Sequence, residues 1–373
     1  MQKVYFDNAA TTPLSKEVAD VMHKSNQEFF GNPSSTHSFG RSARAKIEMA
    51  RKQIASVINA NSSEIIFTSS GTEANNTIFQ CAVNDLNIER IITSKIEHYA
   101  VIQPVLNLSK QVNIDYVEVN KDGDVDLNHL KQLLSTKKKT LVSLMHVNNE
   151  IGNVLPLESV AAICRENKAL FHSDTVQSIA YYDIDVKKTG VDFLSCSAHK
   201  FHGPKGIGFL YCRDVHDISA YIRGGNQEKG LRGGTENTTG IIGLEKALSD
   251  IKTDKENQLK KLFELKDYLI SQLQKNNFNF SINGNSEASS PAIINITFKT
   301  KKDVSMLLFN LDLEGVAISG GSACTSGSNK GSHVLTHIGA PMDLPAIRIS
   351  FSTYNTKKEV DYLVKVFQKL LSI

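Results

Sequence analysis

The alternation of short β-rich runs with helix-like segments between residues 60 and 215 constrains the fold of this chain most strongly. Several of the runs are apolar throughout, as expected of strands that are buried on both faces of a sheet. They are EIIFT (64–68), RIITS (90–94), IDYVEV (114–119), TLVSLMH (140–146), ALFHS (169–173), VDFLSC (191–196) and IGFLYC (207–212). Because strands that alternate with helices form parallel sheets, we predict an α/β fold with a mainly parallel seven-stranded sheet.

The pattern changes near residue 252, where the long amphipathic segment KENQLKKLFELKDYLISQLQKN (255–276) predicts a helix. After it, three β-rich runs and a closing helix from about residue 356 indicate a smaller α+β lobe. The runs are AIINITF (292–298), VAIS (316–319) and AIRISF (346–351). A chain of 373 residues suits one large domain plus a smaller one. We therefore predict a large domain over residues 15–255 and a small domain formed by residues 1–14 and 256–373.

Composition and cysteine content exclude several classes of protein. The net charge of +3 comes with no basic stripe, so direct nucleic-acid binding is not expected. Five cysteines, an odd number with no C-x-x-C pair, argue against a disulfide framework or a zinc site and favour a reducing compartment. No apolar run approaches the roughly 18 residues that span a bilayer, and the N-terminal MQKVYFDNAATTP has no apolar core. We expect a cytoplasmic protein without membrane association.

Two polar loops follow predicted strands, at the place where open α/β sheets bind their ligands. In TSSGTEANN (68–76), the backbone N–H groups around Gly71 and Thr72 suit a phosphate at a helix N-terminus, although a simple capped turn has the same sequence. In HSDTVQS (172–178), Asp174 suits a protonated heterocycle nitrogen and Gln177 suits a ring oxygen. A helix N-cap is the alternative role for the aspartate.

A third loop, CSAHKFHGPKG (196–206), presents Ser197, His199 and Lys200 directly after the strand VDFLSC. A lysine that is shielded from water loses its proton readily and can form an imine, whereas an isolated lysine is usually a surface charge. The other two loops favour imine formation as the role of this lysine. A phosphate-ready loop, a carboxylate for a ring nitrogen and an imine-ready lysine are together the parts of a pyridoxal phosphate site.

The cysteines divide into two kinds. Cys324 lies in SGGSACTSGSNKGS (319–332), which holds four glycines and five serines with almost nothing apolar, so we expect this segment to be mobile. A thiol on such a loop can deprotonate, enter a cofactor pocket and carry a product out again. We expect the others to be buried structural residues: Cys81, Cys164, Cys196 and Cys212.

The chain resembles the cysteine desulfurases of the NifS and IscS type, within the class V aminotransferase group of fold-type I pyridoxal phosphate enzymes. Eight motifs, ordered along almost the whole chain, carry the resemblance. They are YFDNAATTP (5–13), GNPSSTH (31–37), SGTEANN (70–76), EH (97–98), MHVNNEIG (145–152), SAHKFHGPKGIG (197–208), RGGTEN (232–237) and SGGSACTSGS (319–328). The resemblance implies the fold-type I architecture, pyridoxal 5'-phosphate as cofactor and a homodimer.

The resemblance also implies a role for each matching residue. Lys200 would hold the cofactor covalently, and His98 would stack on its ring and assist proton transfer. The residues implied around the ring are Asp174 at its nitrogen, with Asn149 and Gln177 at its phenolic oxygen. Those implied around the phosphate are Gly71, Thr72, Ser197 and His199, joined by Thr235 from the partner subunit. Between the adjacent Asn148 and Asn149, only the register of the family favours Asn149.

Substrate binding and sulfur transfer are implied in the same way. Arg348 would bind the carboxylate of the substrate as a bidentate fork, with a structural ion pair as the alternative. L-cysteine would lose its sulfur to Cys324, leaving L-alanine and a persulfide that passes to acceptors for iron–sulfur cluster assembly or tRNA thiolation. The acceptor would be an iron–sulfur scaffold or a sulfur-carrier protein, and Cys324 would transiently ligate a [2Fe–2S] cluster on a scaffold partner.

Three rival functions stay open at this point. A selenocysteine lyase or a class V aminotransferase on the same fold would also use Lys200 and Asp174, but an aminotransferase has no need of Cys324. A cofactor-free sulfur carrier or scaffold, from another class of protein, would use the thiol alone. The sequence ends with TKKEVDYLVKVFQKLLSI (356–373), without the extension with which many IscS-type members bind a scaffold, so the acceptor stays open as well.

Overall fold

The computed structural model describes residues 2–213, 218–300, 306–320 and 331–371. The strands in these ranges are β1 Val4–Tyr5, β2 Ile65–Thr68, β3 Arg90–Thr93, β4 Asn113–Tyr116, β5 Thr140–Ser143, β6 Leu170–Asp174, β7 Phe193–Ser197, β8 Gly208–Cys212, β9 Phe280–Asn283, β10 Ile293–Phe298, β11 Val316–Ala317 and β12 Ala346–Ser350. The α-helices are α1 Lys16–Glu28, α2 Ser38–Val57, α3 Gly71–Asn84, α4 Tyr99–Leu108, α5 Leu127–Leu134, α6 Leu157–Glu166, α7 Val186–Thr189, α8 Thr238–Thr253, α9 Lys255–Lys275, α10 Leu307–Leu313, α11 His333–His337 and α12 Lys357–Leu371.

The large sheet has seven strands in the order β2-β8-β7-β6-β5-β3-β4. Only β8 runs antiparallel to its neighbours β2 and β7, and the remaining pairs are parallel. Each of the seven β-rich runs therefore forms a strand of one mainly parallel sheet, and the predicted α/β fold is confirmed. The strands β2, β3, β5, β7 and β8 are buried along their whole length, which is why their sequences are apolar on both faces.

A second group of strands is built from the ends of the chain. β12, β10 and β9 form an antiparallel sheet, and β1 pairs in parallel with β11. The helix predicted after residue 252 is α9, which packs Leu262, Leu265, Leu269 and Leu273 inward at helical spacing. β1 and β9 were not expected from the sequence, because a two-residue strand and the mixed run FSIN carry no clear alternation of their own.

Two main hydrophobic clusters accompany these sheets. One draws its buried residues from Val18 to Ile251, and the other from Val4, Phe6 and the stretch between Leu262 and Leu371. Tyr181 packs against both clusters. The limits at 15–255 and 256–373 stay a prediction. Within the described ranges, no helix is long and apolar enough to cross a bilayer.

A buried ion pair ties the segment around residue 228 to the large sheet. Arg51 of α2 is 1% exposed, and two of its guanidinium nitrogens donate to the two oxygens of Glu228 at 2.6 and 2.8 Å. Glu228 also accepts a hydrogen bond from the backbone N–H of Phe67, and Arg51 donates to the carbonyl of Ile65 in β2. Glu228 has a φ of 46°, so the backbone holds a left-handed conformation to reach this pairing.

We predict that Glu228→Gln lowers the free energy of unfolding by about 1.5–3 kcal/mol, because the buried Arg51 charge then keeps only the partly exposed Glu48 as an ion-pair partner. Equilibrium unfolding in urea measures this loss. The matched control is Glu158→Gln, which breaks the exposed Lys188–Glu158 pair and should leave the urea midpoint unchanged. If both variants lost the same free energy of unfolding, burial would not explain the contribution of the Arg51–Glu228 pair to stability.

Candidate active site

One cavity of about 350 Å³ opens where the parallel strands of the large sheet end. Its wall is formed by residues at or after the ends of β2, β3, β5, β6 and β7, together with the N-terminal segment of the chain and Arg348 of β12. Of the site residues predicted from the sequence, the cavity brings together Gly71, Thr72, His98, Asn149, Asp174, Gln177, Ser197, His199, Lys200 and Arg348. Residues that lie far apart in the sequence therefore meet because carboxyl ends of parallel strands share one edge of the sheet.

The first turn of α3 forms one end of the cavity. Ser70 is the N-cap, and its side chain accepts the backbone N–H of Glu73. A methyl group on Gly71 would lie 2.4 Å from Cγ2 of Val176, so only glycine lets the helix start so close to the loop after β6. The partial positive charge of this helix N-terminus makes the region suitable for an anionic group.

Asp174 is the last residue of β6 and is buried in the wall of the cavity. One carboxylate oxygen accepts from Nδ2 of Asn75 at 2.7 Å, and the other accepts from the backbone N–H of Val176 at 3.0 Å. Asn75 lies one turn along α3 from Gly71 and also lines the cavity. These two donors orient the carboxylate, since a buried carboxylate needs hydrogen-bond partners.

Lys200 ends a short 3-10 turn, Ala198–Lys200, that follows β7 directly. Its Nζ donates to the carbonyl oxygens of Ala9 and Ala10, at 2.6 and 2.9 Å. Nε2 of Gln177 donates to the same carbonyl of Ala9 at 2.9 Å. The N-terminal segment YFDNAATTP thus supplies the acceptors that hold the lysine and the glutamine at the cavity.

Two histidines at the cavity have pKa values below the usual range. Burial is the main cause for His98, with the positive charges of Lys200, His333 and Arg348 acting in the same direction and Asp174 opposing them. Nδ1 of His98 accepts the backbone N–H of Ala100, so the neutral ring carries its proton on Nε2. Burial, with the charges of Lys200 and Lys205, lowers the pKa of His199 to about 4, which keeps that ring neutral at physiological pH.

Asn148 and Asn149 point to different parts of the structure. The side chain of Asn148 donates to the carbonyl of Ile96 and accepts the N–H groups of Glu150 and Ile151, which fixes the turn. Asn149 is the one that lines the cavity. The question that the sequence left open is therefore resolved in favour of Asn149 as the cavity residue.

Arg348 lies in β12, is 1% exposed and still reaches the cavity wall. Its Nη2 pairs with the carboxylate of Asp7 at 2.8 Å, and its Nη1 donates to the carbonyl of Asn149 at 2.9 Å. Both predicted roles of this arginine remain compatible with these contacts, because each terminal nitrogen carries a second N–H.

Two predicted site residues lie elsewhere. Thr235 lines a separate small pocket beside Thr68, Ser69 and Gly206, so in its own chain it does not reach the Lys200 cavity. Its predicted place in the site of a partner subunit stays a prediction. Cys324, predicted as nucleophile and as transient cluster ligand, lies outside the described residues. Within the described ranges, no group of three or more His, Cys, Asp or Glu side chains is arranged to hold a metal ion.

The other four cysteines are buried, as predicted. Burial raises the pKa of Cys81 to about 12 and raises those of Cys164 and Cys196 as well. A thiol that stays protonated is a poor nucleophile. Cys196, although it lies four residues from Lys200, is therefore unsuited to attack a substrate.

Sequence reasoning missed three contributions to the cavity: Asn75 behind Asp174, the carbonyls of Ala9 and Ala10, and Asp7 behind Arg348. A signal existed for Asn75, because a spacing of four residues from Gly71 puts it on the same face of a helix. No local signal existed for the other two, which depend on a contact between the N-terminal segment and chain more than 180 residues away.

A cavity where an α/β sheet ends, lined by a lysine, a buried carboxylate and a helix N-terminus, is typical of fold-type I enzymes. The chain belongs to the class-V aminotransferase family, whose model matches residues 4–363. Within that family, its similarity is to the cysteine desulfurases of the NifS and IscS type, as the motifs indicated, and that resemblance is confirmed.

Three known proteins show how close the similarity is. The chain is 44% identical to "Cysteine desulfurase IscS" of Dictyoglomus turgidum, over 99% of this chain and 95% of that protein. The solved structure of a "NifS-like protein" superposes with a TM-score of 0.92 at 37% identity, with both chains fully covered. A structure described as "SspA in complex with cysteine" matches with a TM-score of 0.81 at 33% identity, covering 94% of this chain and 99% of the other.

The pH dependence of the free energy of unfolding tests whether His172 is buried in its neutral form. His172 in β6 is fully buried, and burial lowers its pKa to about 4. The unfolded chain binds this proton near pH 6.5, so the contribution is fully present above about pH 6.5 and is lost as the pH falls toward 4. We predict that His172→Asn makes the fall in urea midpoint between pH 6.5 and pH 4 shallower.

The matched control for this prediction is His23→Asn, at an exposed position of α1. This variant shows how the pH dependence of the urea midpoint changes when an exposed histidine is replaced. An unchanged pH dependence in His172→Asn would show that this side chain does not titrate on unfolding.

Proposed function

We propose that this protein is a pyridoxal-phosphate-dependent cysteine desulfurase, which converts L-cysteine to L-alanine and leaves the sulfur as a persulfide on Cys324. The observation that carries the proposal is the meeting of Lys200, Asp174 and the first turn of α3 on one cavity. The naming of its relatives as cysteine desulfurases, and the neighbour in complex with cysteine, support L-cysteine as the substrate.

The residues of the cavity fit the cofactor. Gly71 lets α3 begin against the loop after β6, so that the N-terminus of the helix lies at the cavity and suits a phosphate, and the buried Asp174 suits a protonated ring nitrogen. Lys200 would hold the cofactor covalently. Ser197, His199 and Thr72 would complete the phosphate end, while Asn149 and Gln177 would contact the ring oxygen. When bound, pyridoxal phosphate supplies an electron sink for charge that develops on the carbon next to the amino group of the substrate.

The side chains around the cavity divide the remaining work. Lys200 would hold the cofactor, and its amine would be placed to remove a proton from the substrate carbon. Asp174, oriented by Asn75, would keep the ring nitrogen protonated. His98 is held neutral with its proton on Nε2, which lets it donate that proton and recover it within one turnover.

Sulfur transfer is balanced without an external oxidant. The Cys324 thiolate attacks the sulfur of the substrate, the carbon–sulfur bond breaks, and its electron pair stays with the carbon skeleton, which takes up a proton. In sum, L-cysteine and one thiol give L-alanine and one persulfide. Burial raises the pKa of the Cys81 and Cys196 thiols, so these two residues stay protonated and do not compete for the sulfur.

The remaining parts of the proposal concern partners. The enzyme acts as a homodimer in which Thr235 completes the phosphate site of the neighbouring subunit. The persulfide passes to an iron–sulfur scaffold or a sulfur-carrier protein, for iron–sulfur cluster assembly or tRNA thiolation. On a scaffold, Cys324 serves as a transient ligand of a [2Fe–2S] cluster.

The first test is the mass of the protein after anaerobic incubation with L-cysteine. Wild type gains one sulfur atom or more, whereas Cys324→Ser gains none and forms no L-alanine above background, because a hydroxyl cannot accept the sulfur. Cys164→Ser is the matched control, since it removes a buried thiol and should behave as wild type. If Cys324→Ser still formed L-alanine from L-cysteine, an enzyme that does not need this thiol would be the correct assignment.

The second test concerns Arg348. Arg348→Lys keeps the charge and loses the fork, so we predict that the KM for L-cysteine rises about 10- to 150-fold, equivalent to about 1.5–3 kcal/mol. Cysteamine lacks the carboxylate and separates the two roles of this arginine. If Arg348→Lys lost activity equally on L-cysteine and on cysteamine, Arg348 would not bind the substrate carboxylate, and its role would be the structural ion pair with Asp7.

A further inference from the structure

A buried carboxylate and a histidine meet just outside the Lys200 cavity. Glu150, which is 1% exposed, follows Asn149 in the loop after β5, and His333 is the first residue of α11. Oε2 of Glu150 accepts the hydroxyl of Ser332 at 2.5 Å, and Oε1 lies 4.0 Å from Nδ1 of His333. None of the roles proposed above uses these three side chains.

The contacts of His333 fix its tautomer. Its Nε2 lies 2.9 Å from the carbonyl oxygen of Glu97, which can only accept, so Nε2 carries a proton. A neutral His333 then directs the lone pair of Nδ1 toward Glu150, and Nδ1 has no hydrogen-bond partner among the described residues. The two side chains therefore interact through charge across this gap, without a direct hydrogen bond.

Other charged and titratable groups surround the pair. Burial raises the pKa of Glu150, while the Ser332 hydroxyl and the charges of His333 and Arg348 act to lower it. From α4, the ring of Tyr99 lies 4.7 Å from that of His333, centroid to centroid. His98 also feels the charge of His333, and Glu97 provides the carbonyl acceptor.

Apolar packing also joins α11 to the loop that contains Glu97 and the loop that contains Glu150. Ile96, Ile151, Val334, Leu335 and Ile338 form a separate buried cluster. Ile96 and Ile151 adjoin Glu97 and Glu150 in the chain, and the other three residues belong to α11 or follow it directly. The Ser332 hydroxyl, besides donating to Glu150, accepts the N–H of Leu335 as the helix N-cap. The start of α11 is thus held by polar and apolar contacts to the loops that carry His98 and Asn149.

The position of α11 in the sequence gives these contacts a consequence for catalysis. Ser332 comes eight residues after Cys324, so the start of α11 is the attachment point of the segment that bears the nucleophile. The thiol must reach the sulfur of the substrate from this attachment point, so the position of the attachment point sets how often the two sulfur atoms meet. Cofactor binding and proton removal depend on other side chains.

We propose that Glu150 and His333 are positioning residues for the sulfur-transfer step, which fix the attachment point of the Cys324 segment relative to His98 and Asn149. This inference rests on the proposed function. It assigns the pair no contact with substrate or cofactor. Its distinguishing consequence is that the pair affects persulfide formation and leaves the preceding steps on the cofactor unchanged.

The experiment compares two rates in single turnovers of the holoenzyme with L-cysteine. The change in cofactor absorbance reports the early steps, and the mass of acid-quenched protein reports the persulfide. We expect His333→Leu to slow persulfide formation by about tenfold or more, with the absorbance change within about twofold of wild type. His333→Gln keeps a donor for the Glu97 carbonyl and should recover most of the lost rate.

Glu150→Gln removes the negative charge of this side chain with little change of shape. Its amide can accept from Ser332 and donate to Nδ1 of His333, which mimics the protonated acid. We expect near wild-type persulfide formation at neutral pH, with the pH dependence of this step altered and that of the absorbance change unchanged. A merely structural role would not separate the two pH profiles.

The matched control is His337→Leu, an exposed position on the same short helix, which should change neither rate. The proposal is overturned if His333→Leu slows both steps equally, or if it forms persulfide at the wild-type rate. A wild-type protein that shows neither an absorbance change nor a persulfide would instead overturn the proposed function, and this inference with it.

Discussion

The parallel pairing of β3, β5, β6 and β7 is the constraint on which the rest of the structure depends. Strands that are buried on both faces must satisfy their backbone groups through each other, and parallel pairing places all their carboxyl ends at one edge. At that edge, Asp174 ends β6 and Ser197 ends β7, while Lys200 follows three residues later. The site is a consequence of how these strands are connected, because no two of its loops adjoin in the sequence.

Burial then determines the charge state of the groups at that edge. His98 and His199 are neutral because desolvation and nearby positive charges oppose protonation. Charges that remain buried have partners, as Arg348 has Asp7 and Arg51 has Glu228. The pair of Glu150 and His333 differs, since its members are 4.0 Å apart and make no direct hydrogen bond. In our proposal, this pair lets the start of α11 position the Cys324 segment for sulfur transfer, in addition to its role in packing.

The local pattern of the sequence predicted the elements well where their residues face one environment. Most runs of the large sheet were recognisable because both faces of their strands are buried, although β4 is only partly buried. The helix α9 was recognisable because its leucines recur at helical spacing. β1 and β9 were missed for the opposite reason, since two residues of β1 become a strand only by pairing with β11, more than 300 residues away. The choice between Asn148 and Asn149 also needed the structure, because a turn decides which side chain points inward.

By itself, the sequence determined the α/β class and the family, and it predicted the residues for the chemistry, because hydrophobic periodicity and ordered motifs are visible along the chain. Only the tertiary structure decided which side chains support them. Asn75 behind Asp174, the Ala9 and Ala10 carbonyls at Lys200, and the joining of Glu150 to His333 all depend on distances between remote segments. Such distances are set by the packing of the sheet and its helices, and they leave no periodic trace along the chain.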